Sequence, residues 1–173
     1  MENLKKFIRE VPDWPKKGIL FYDITTLLKD KSAFHQLIDA FADYYTDKEL
    51  DLILGIEARG FIFGPALAYR LGTGFVPVRK PHKLPADTAR VTYELEYGTD
   101  SLEIHRDAIQ PGDRVLVVDD LLATGGTAGA CVRLAKELGA MVIGVGIVVE
   151  LQFLNGRSHL PDLDVFSLLK YRK

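Results

Sequence analysis

The chain predicts an α/β fold: a Rossmann-like parallel sheet flanked by helices, with a small hood formed by the N-terminal segment and an inserted hairpin loop. Three observations carry this. Apolar runs at residues 50–57 (LDLILGIE), 114–120 (RVLVVDD) and 140–150 (AMVIGVGIVVE) lack polar alternation, as strands covered on both faces do. Segments of helical spacing lie between such runs, and that alternation argues for a parallel sheet with helices on its two sides. One stretch differs. Val91, Tyr93, Leu95 and Tyr97 occupy every second position, as do Leu102 and Ile104 after a Gly98-Thr99-Asp100 turn, so a hairpin is inserted that need not join the main sheet.

Element by element, Leu4, Phe7, Ile8 and Val11 have the spacing of a short amphipathic helix over residues 2–10. VPDWPKKG is a connection broken by Pro and Gly, leading into the extended ILFYDIT. From Asp30 or Ser32, either a suitable N-cap, Phe34, Leu37, Ile38, Phe41, Tyr44 and Tyr45 recur at helical spacing. The strand at 50–57 is followed by a helix over 60–72, closed by Gly72, and a strand over 75–80 (FVPVRK). A basic, Pro-containing loop over 81–87 precedes the hairpin. PGD at 111–113 turns the chain into the 114–120 strand; a helix over 127–138 ends at Gly139, and 140–150 and 165–170 (VFSLLK) supply the last strands. The 173 residues suit a single domain, with the hood drawn from about 1–30 and a flexible loop or hairpin from about 81–106.

Hydrophobic residues make up 47% and charged residues 27%, an ordinary globular balance. A net charge of −2 argues against a nucleic-acid partner held by overall positive charge. There is no apolar signal region at the N-terminus and no apolar run of membrane-spanning length, so no membrane partner is expected. The single cysteine, Cys131, falls at an apolar helical position and reads as packing; one cysteine suits a reducing, cytoplasmic setting. His35, His82, His105 and His159 lack metal-ligand spacing, and His35 is expected to be partly packed on its helix.

The most informative stretch is VLVVDDLLATGGTAG, residues 115–129. An apolar strand runs into Asp119 and Asp120 and then into the loop Ala123, Thr124, Gly125, Gly126, Thr127, which opens a helix. Close backbone approach at the glycines, threonine hydroxyls and a helix N-terminus suit a phosphate. No lysine follows the glycines and the G-x-G-x-x-G spacing is absent, so neither familiar nucleotide loop applies. Carboxylates repel a run of phosphates but accept from hydroxyls. A sugar with vicinal hydroxyls and one terminal phosphate satisfies both halves; the plainer reading is one helix cap and one surface acid. Arg59 also stands where a buried strand ends, and its guanidinium fork suits phosphate. Arg79, Lys80 and Lys83 add cations, although Lys83 also fits a solvated loop charge. Phe21, in an extended apolar run, suits either the core or the face of a base. Alternation puts Glu94 and Glu96 on one face of the hairpin.

The 115–129 stretch resembles the motif by which type I phosphoribosyltransferases bind phosphoribosyl pyrophosphate (PRPP). Together, GILFYDITTLL (18–28), GIEARGFIFGPALA (55–68), VRKPHKLP (78–85), YELEYGTDSLEI (93–104) and VVDDLLATGGT (117–127) resemble, in order, the adenine phosphoribosyltransferases of that family. The resemblance implies the type I phosphoribosyltransferase fold, a homodimer, and purine salvage: transfer of the phosphoribosyl group to adenine, giving AMP and pyrophosphate. It implies Mg²⁺ held mainly by PRPP, with no dedicated protein metal site. Asp119 and Asp120 then hold the ribose hydroxyls, and Ala123, Thr124, Gly125, Gly126 and Thr127 the 5′-phosphate. Arg59, Arg79, Lys80 and Lys83 meet pyrophosphate, Arg59 also acting in catalysis. Phe21 stacks on adenine against Leu121, while the Leu20 and Tyr22 backbones read its edge. Glu96 is the candidate proton-transfer group, and Tyr97 helps close the loop. The resemblance further implies a strained non-proline peptide in the Glu57–Gly60 loop, with cis as the candidate geometry. The readings left beside it are a 6-oxopurine (xanthine or hypoxanthine) phosphoribosyltransferase, a PRPP-sensing regulator without activity, and a protein that only binds a mononucleotide.

Overall fold

The computed structural model describes residues 1–95 and 98–172. Along the chain run a 3₁₀ turn (Glu2–Phe7), β1 (Arg9–Pro12), β2 (Leu20–Asp23), α1 (Thr25–Leu28), α2 (Lys31–Tyr45), β3 (Leu52–Ile56) and α3 (Gly60–Leu71). There follow β4 (Gly74–Val78), β5 (Thr88–Glu94), β6 (Thr99–His105), β7 (Arg114–Leu122), α4 (Gly126–Glu137), β8 (Met141–Leu151) and β9 (Asp164–Tyr171). Among the described residues, β4-β3-β7-β8-β9 form one sheet whose neighbouring strands are all parallel.

The unalternating runs are explained by burial on both faces. On β7, Leu116 and Val118 belong to the core with α2 and α3, whereas Val115 and Val117 face the core with α4 and the β5–β6 hairpin. α2 starts where Asp30 predicts, its side chain accepting the Ala33 N–H at 2.9 Å. Gly72 closes α3 in the left-handed conformation.

Two short antiparallel ribbons stand apart from the main sheet. β1 pairs with β2, and β5 with β6. The second ribbon is tied to the edge beyond β4 by mutual backbone bonds between Arg79 and Glu103.

Several expectations needed correction. The helix over 2–10 is a six-residue 3₁₀ turn followed by β1. So short a segment closes few helical hydrogen bonds, and pairing with β2 satisfies its second half better; Leu4 and Ile8 are still buried. β7 does not stop at the acids but runs on to Leu122, because its ladder with β8 extends to Leu122 opposite Glu150. His35 is exposed, since it lies on the solvent side of α2 next to Gln36. Leu95 is exposed too, because β5 ends at Glu94 and the alternation ends with it. Glu96 and Tyr97, the sequence-predicted proton-transfer and closure residues, lie outside the described residues.

Candidate active site

Counted along the chain, the five sheet strands lie in the order 2-1-3-4-5, so the direction of winding reverses between β3 and β7. α3 leaves β3 toward one face and α4 leaves β7 toward the other. The connections diverge, and a crevice opens beyond the carboxyl ends of these two strands, where ligands of open α/β sheets bind.

The crevice is a cleft of about 300 Å³, lined by Glu57, Ala58, Arg59 and Lys80 on one side and by residues 119–128 on the other. The loop after β3 comes very close to β7. A Cβ on Gly60 would lie 2.9 Å from the Val118 carbonyl oxygen and 3.2 Å from Asp119 Oδ1. The Glu57–Ala58 peptide is cis, the geometry the resemblance named.

Asp119 and Asp120 are both buried at the cleft wall. Arg59 Nε donates to Asp120 Oδ2, and Asp119 Oδ1 accepts the Asp120 N–H at 2.9 Å. Burial and the neighbouring Asp120 charge push the Asp119 carboxyl well above its usual range, only partly opposed by the Asp120 N–H and Arg59. A carboxyl so placed is short of positive or hydrogen-bonding partners. It is suited to accept from a ligand hydroxyl or to face developing positive charge.

The glycine loop meets α4 at Gly125, which is its N-cap (φ 88°) and offers no side-chain cap. The first N–H groups of α4 have no partner from a capping side chain and open into the cleft, a ready anion site. The tight turn has a backbone neighbour: a Cβ on Gly125 would fall 2.1 Å from the Gly156 carbonyl oxygen.

The predicted cations divide. Arg59 and Lys80 line the cleft; Arg79 and Lys83 do not. Arg79 Nε donates to Glu57 Oε2 at 3.2 Å and lies over the Phe61 ring, while Lys83 is exposed. Glu57 also accepts the Lys80 N–H at 2.8 Å, and although burial works the other way, these donors hold its carboxyl below the ordinary value. Lys80 Nζ donates to Asp100 on the hairpin and, at 3.2 Å, to Tyr93 OH. Tyr93 OH in turn is 3.3 Å from Thr127 Oγ1. Burial disfavours both charges of the pair, yet Lys80 stays above its ordinary value and Asp100 below its own because they face each other.

A second, mostly apolar pocket of about 220 Å³ adjoins the cleft and shares Arg59, Asp120, Leu121 and Ala123 with it. Leu20, Phe21 and Tyr22 line it from β2, together with Ile19, Ile24, Val149, Leu151 and Leu154. Phe21 is half-buried, with Trp14 edge-on at 4.4 Å between ring centroids. Tyr22 is buried, its ring packed on Tyr171 at 4.0 Å between centroids. A polar, donor-rich cleft beside an apolar pocket with which it shares lining residues suits a sugar phosphate bearing a heterocycle.

Sequence reasoning missed several of these groups. Asp100 read only as a turn residue and Tyr93 only as an apolar alternation. Gly156 lies in a stretch with no pattern, and its role is visible only through its contact with Gly125.

Comparison with known proteins agrees with this picture. The family model of the phosphoribosyl transferase domain matches residues 23–168. An adenine phosphoribosyltransferase of Acidobacterium capsulatum is 68% identical over 170 residues, covering 98% of this chain and 94% of that protein. The crystal structure of the adenine phosphoribosyltransferase of Thermoanaerobacter pseudethanolicus superposes with a TM-score of 0.95 at 56% identity, covering 98% of this chain and 99% of that one. That of Saccharomyces cerevisiae, complexed with an imino-altritol bisphosphate and adenine, gives 0.92 at 45% identity, covering 96% and 97%.

Proposed function

The chain belongs to the adenine phosphoribosyltransferases of the phosphoribosyltransferase family, and on that premise we propose how its cleft and pocket carry out the reaction. The protein transfers the 5-phosphoribosyl group of PRPP to adenine, forming AMP and pyrophosphate. The observation that carries this assignment of roles is that the polar cleft and the apolar pocket lie side by side, with Arg59, Asp120, Leu121 and Ala123 lining both.

The 5′-phosphate sits in the loop 123–127 at the α4 N-terminus, and the ribose hydroxyls donate to Asp119 and Asp120. Adenine enters the apolar pocket between Phe21 and Leu121, its edge facing the backbone of Leu20 and Tyr22. Adenine N9 bonds to C1′ as the C1′–O bond to pyrophosphate breaks, and the imidazole part of the purine gives up its proton in the process. Positive charge grows on the ribose in between, and the buried carboxylates beneath it are placed to stabilise that charge. Arg59 and Lys80 face the departing pyrophosphate, with Arg79 and Lys83 held farther out as further cations. Glu96 accepts the purine proton and Tyr97 helps close the hairpin, 81–106, over the site; the segment 1–30 serves as the hood.

Mg²⁺ is expected to enter on the phosphates of PRPP, where it neutralises the leaving group. We also propose a homodimer, as the resemblance implies, and a cytoplasmic setting, supported by the single, buried and unpaired Cys131.

Incubating the protein with Mg²⁺, PRPP and, in turn, adenine, hypoxanthine, guanine and xanthine, with chromatographic detection of nucleotide, tests the assignment. AMP from adenine is the expected product. Turnover restricted to 6-oxopurines, or PRPP binding without any turnover, would overturn it.

A further inference from the structure

The ribose-phosphate loop does not hold its shape alone. Gly125 packs directly on the backbone of Gly156, and a Cβ on Gly156 would in turn lie 2.3 Å from the Ala123 carbonyl oxygen. The segment around 155–159 also touches the first turn of α4, where a Cβ on Gly129 would come within 3.0 Å of the His159 carbonyl oxygen. These are contacts of backbone on backbone, so any shift of the segment passes to the loop without a flexible side chain to absorb it.

The segment consists of two short 3₁₀ turns, Gln152–Leu154 and Gly156–His159, with Asn155 left-handed between them. Little regular hydrogen bonding holds such a stretch. Its strongest side-chain anchor is Arg157, whose Nε and Nη2 donate to the two oxygens of Glu150 at 2.7 and 2.8 Å; Nη2 also reaches Ser167 Oγ at 3.3 Å. Glu150 is 4% exposed and lies on β8 directly opposite Leu122, the residue preceding Ala123. Burial alone would push its carboxyl up, but the bonds from Arg157 and Ser167 hold it below the ordinary value. A paired fork of this kind fixes orientation as well as distance. Neither residue lines the cleft or the apolar pocket.

Resting on the ribose-phosphate reading of the 123–127 loop, we propose that Glu150 and Arg157 are positioning residues for that loop. Their ion pair pins the 155–159 segment beneath Gly125 and so sets the affinity for the 5′-phosphate group.

The test compares wild type, Arg157→Ala, Arg157→Lys and Glu150→Gln by calorimetric binding of ribose 5-phosphate, steady-state kinetics and thermal melting. The expected result is a roughly 10-fold loss of ribose 5-phosphate affinity and a parallel rise in KM for PRPP in Arg157→Ala and Glu150→Gln, the scale on which losing an orienting partner weakens a site. KM for adenine should stay within about twofold, and Arg157→Lys, which restores charge but not the fork, should recover part of the loss. Should Arg157→Ala not fold, the nearly isosteric Glu150→Gln carries the test. Lower melting temperatures with ribose 5-phosphate affinity unchanged in both variants would mean that the pair only holds the fold, and the proposal would be wrong. Wild-type protein that binds ribose 5-phosphate but makes no AMP overturns the adenine assignment, while the binding comparison still decides the proposal. Failure of the wild type to bind ribose 5-phosphate overturns the loop reading itself, and this proposal with it.

Discussion

Replacing Gly125 by alanine tests the loop geometry most directly. The new Cβ would stand 2.1 Å from the Gly156 carbonyl oxygen, and real contacts of this kind hardly ever fall below 3.0 Å. The two backbones must therefore separate by at least 0.9 Å, the difference between those distances, and no rotamer change can relieve the clash. Holding alanine at φ 88° adds a left-handed penalty of about 1–2 kcal/mol to folding. A displacement near 1 Å in a group that positions substrate costs on the order of 100-fold, equivalent to about 2.7 kcal/mol of transition-state stabilisation. Gly125→Ala should thus lower kcat/KM for PRPP by roughly 100-fold while the protein remains folded. Gly139→Ala is the control. It has a similar backbone (φ 90°) but packs on Pro111, away from the cleft, so it should lose stability without losing kcat/KM. Initial rates with varied PRPP, beside chemical denaturation, separate the two effects. A Gly125→Ala enzyme within about threefold of wild type would show that the loop is not held by this contact.

Other outcomes follow from the same geometry. Asp119 is buried with its carboxyl raised, so the folded protein takes up a proton that the unfolded chain does not, and stability falls as pH rises from the ordinary aspartate range toward the raised value. Asp119→Asn removes that loss: its melting temperature relative to wild type should climb with pH across this window, even as PRPP binding weakens, and a flat difference would refute the direction of the shift. Phe21→Ala should raise KM for adenine by roughly 5- to 150-fold, the range for losing one base–aromatic stack worth ~1–3 kcal/mol, with KM for PRPP little changed; equal rises in both would remove Phe21 from the base pocket. Asp100→Asn releases the Lys80 ammonium from a partly exposed pair, so calorimetry should show pyrophosphate binding about two- to fivefold tighter. Unchanged or weaker binding would mean that Asp100 does not compete for this cation.

How much was legible in the sequence depended on the range of the interactions. The strands β3, β7 and β8 were readable because burial on both faces leaves an unbroken apolar run, and α2 because its cap and its apolar spacing are local. The acids, the glycine loop and Arg59 were readable because strand ends and helix starts are where a sheet of this kind exposes backbone donors and charge. The N-terminal helix was misjudged because its real partner, β2, lies eight to fourteen residues farther along, from Pro12↔Leu20 to Arg9↔Asp23. β7 outran its predicted end because its ladder with β8 continues past the acids.

The sequence by itself therefore determined the α/β architecture, the sugar-phosphate motif and the resemblance that names the base. Only the tertiary structure decided that Lys80 pairs with Asp100 of the hairpin, that Arg79 is held back by Glu57, and that Gly125 rests on Gly156. The physical reason is that periodicity and caps are written in neighbouring residues. Ion pairs and backbone contacts between distant segments arise only when the sheet order brings their ends together.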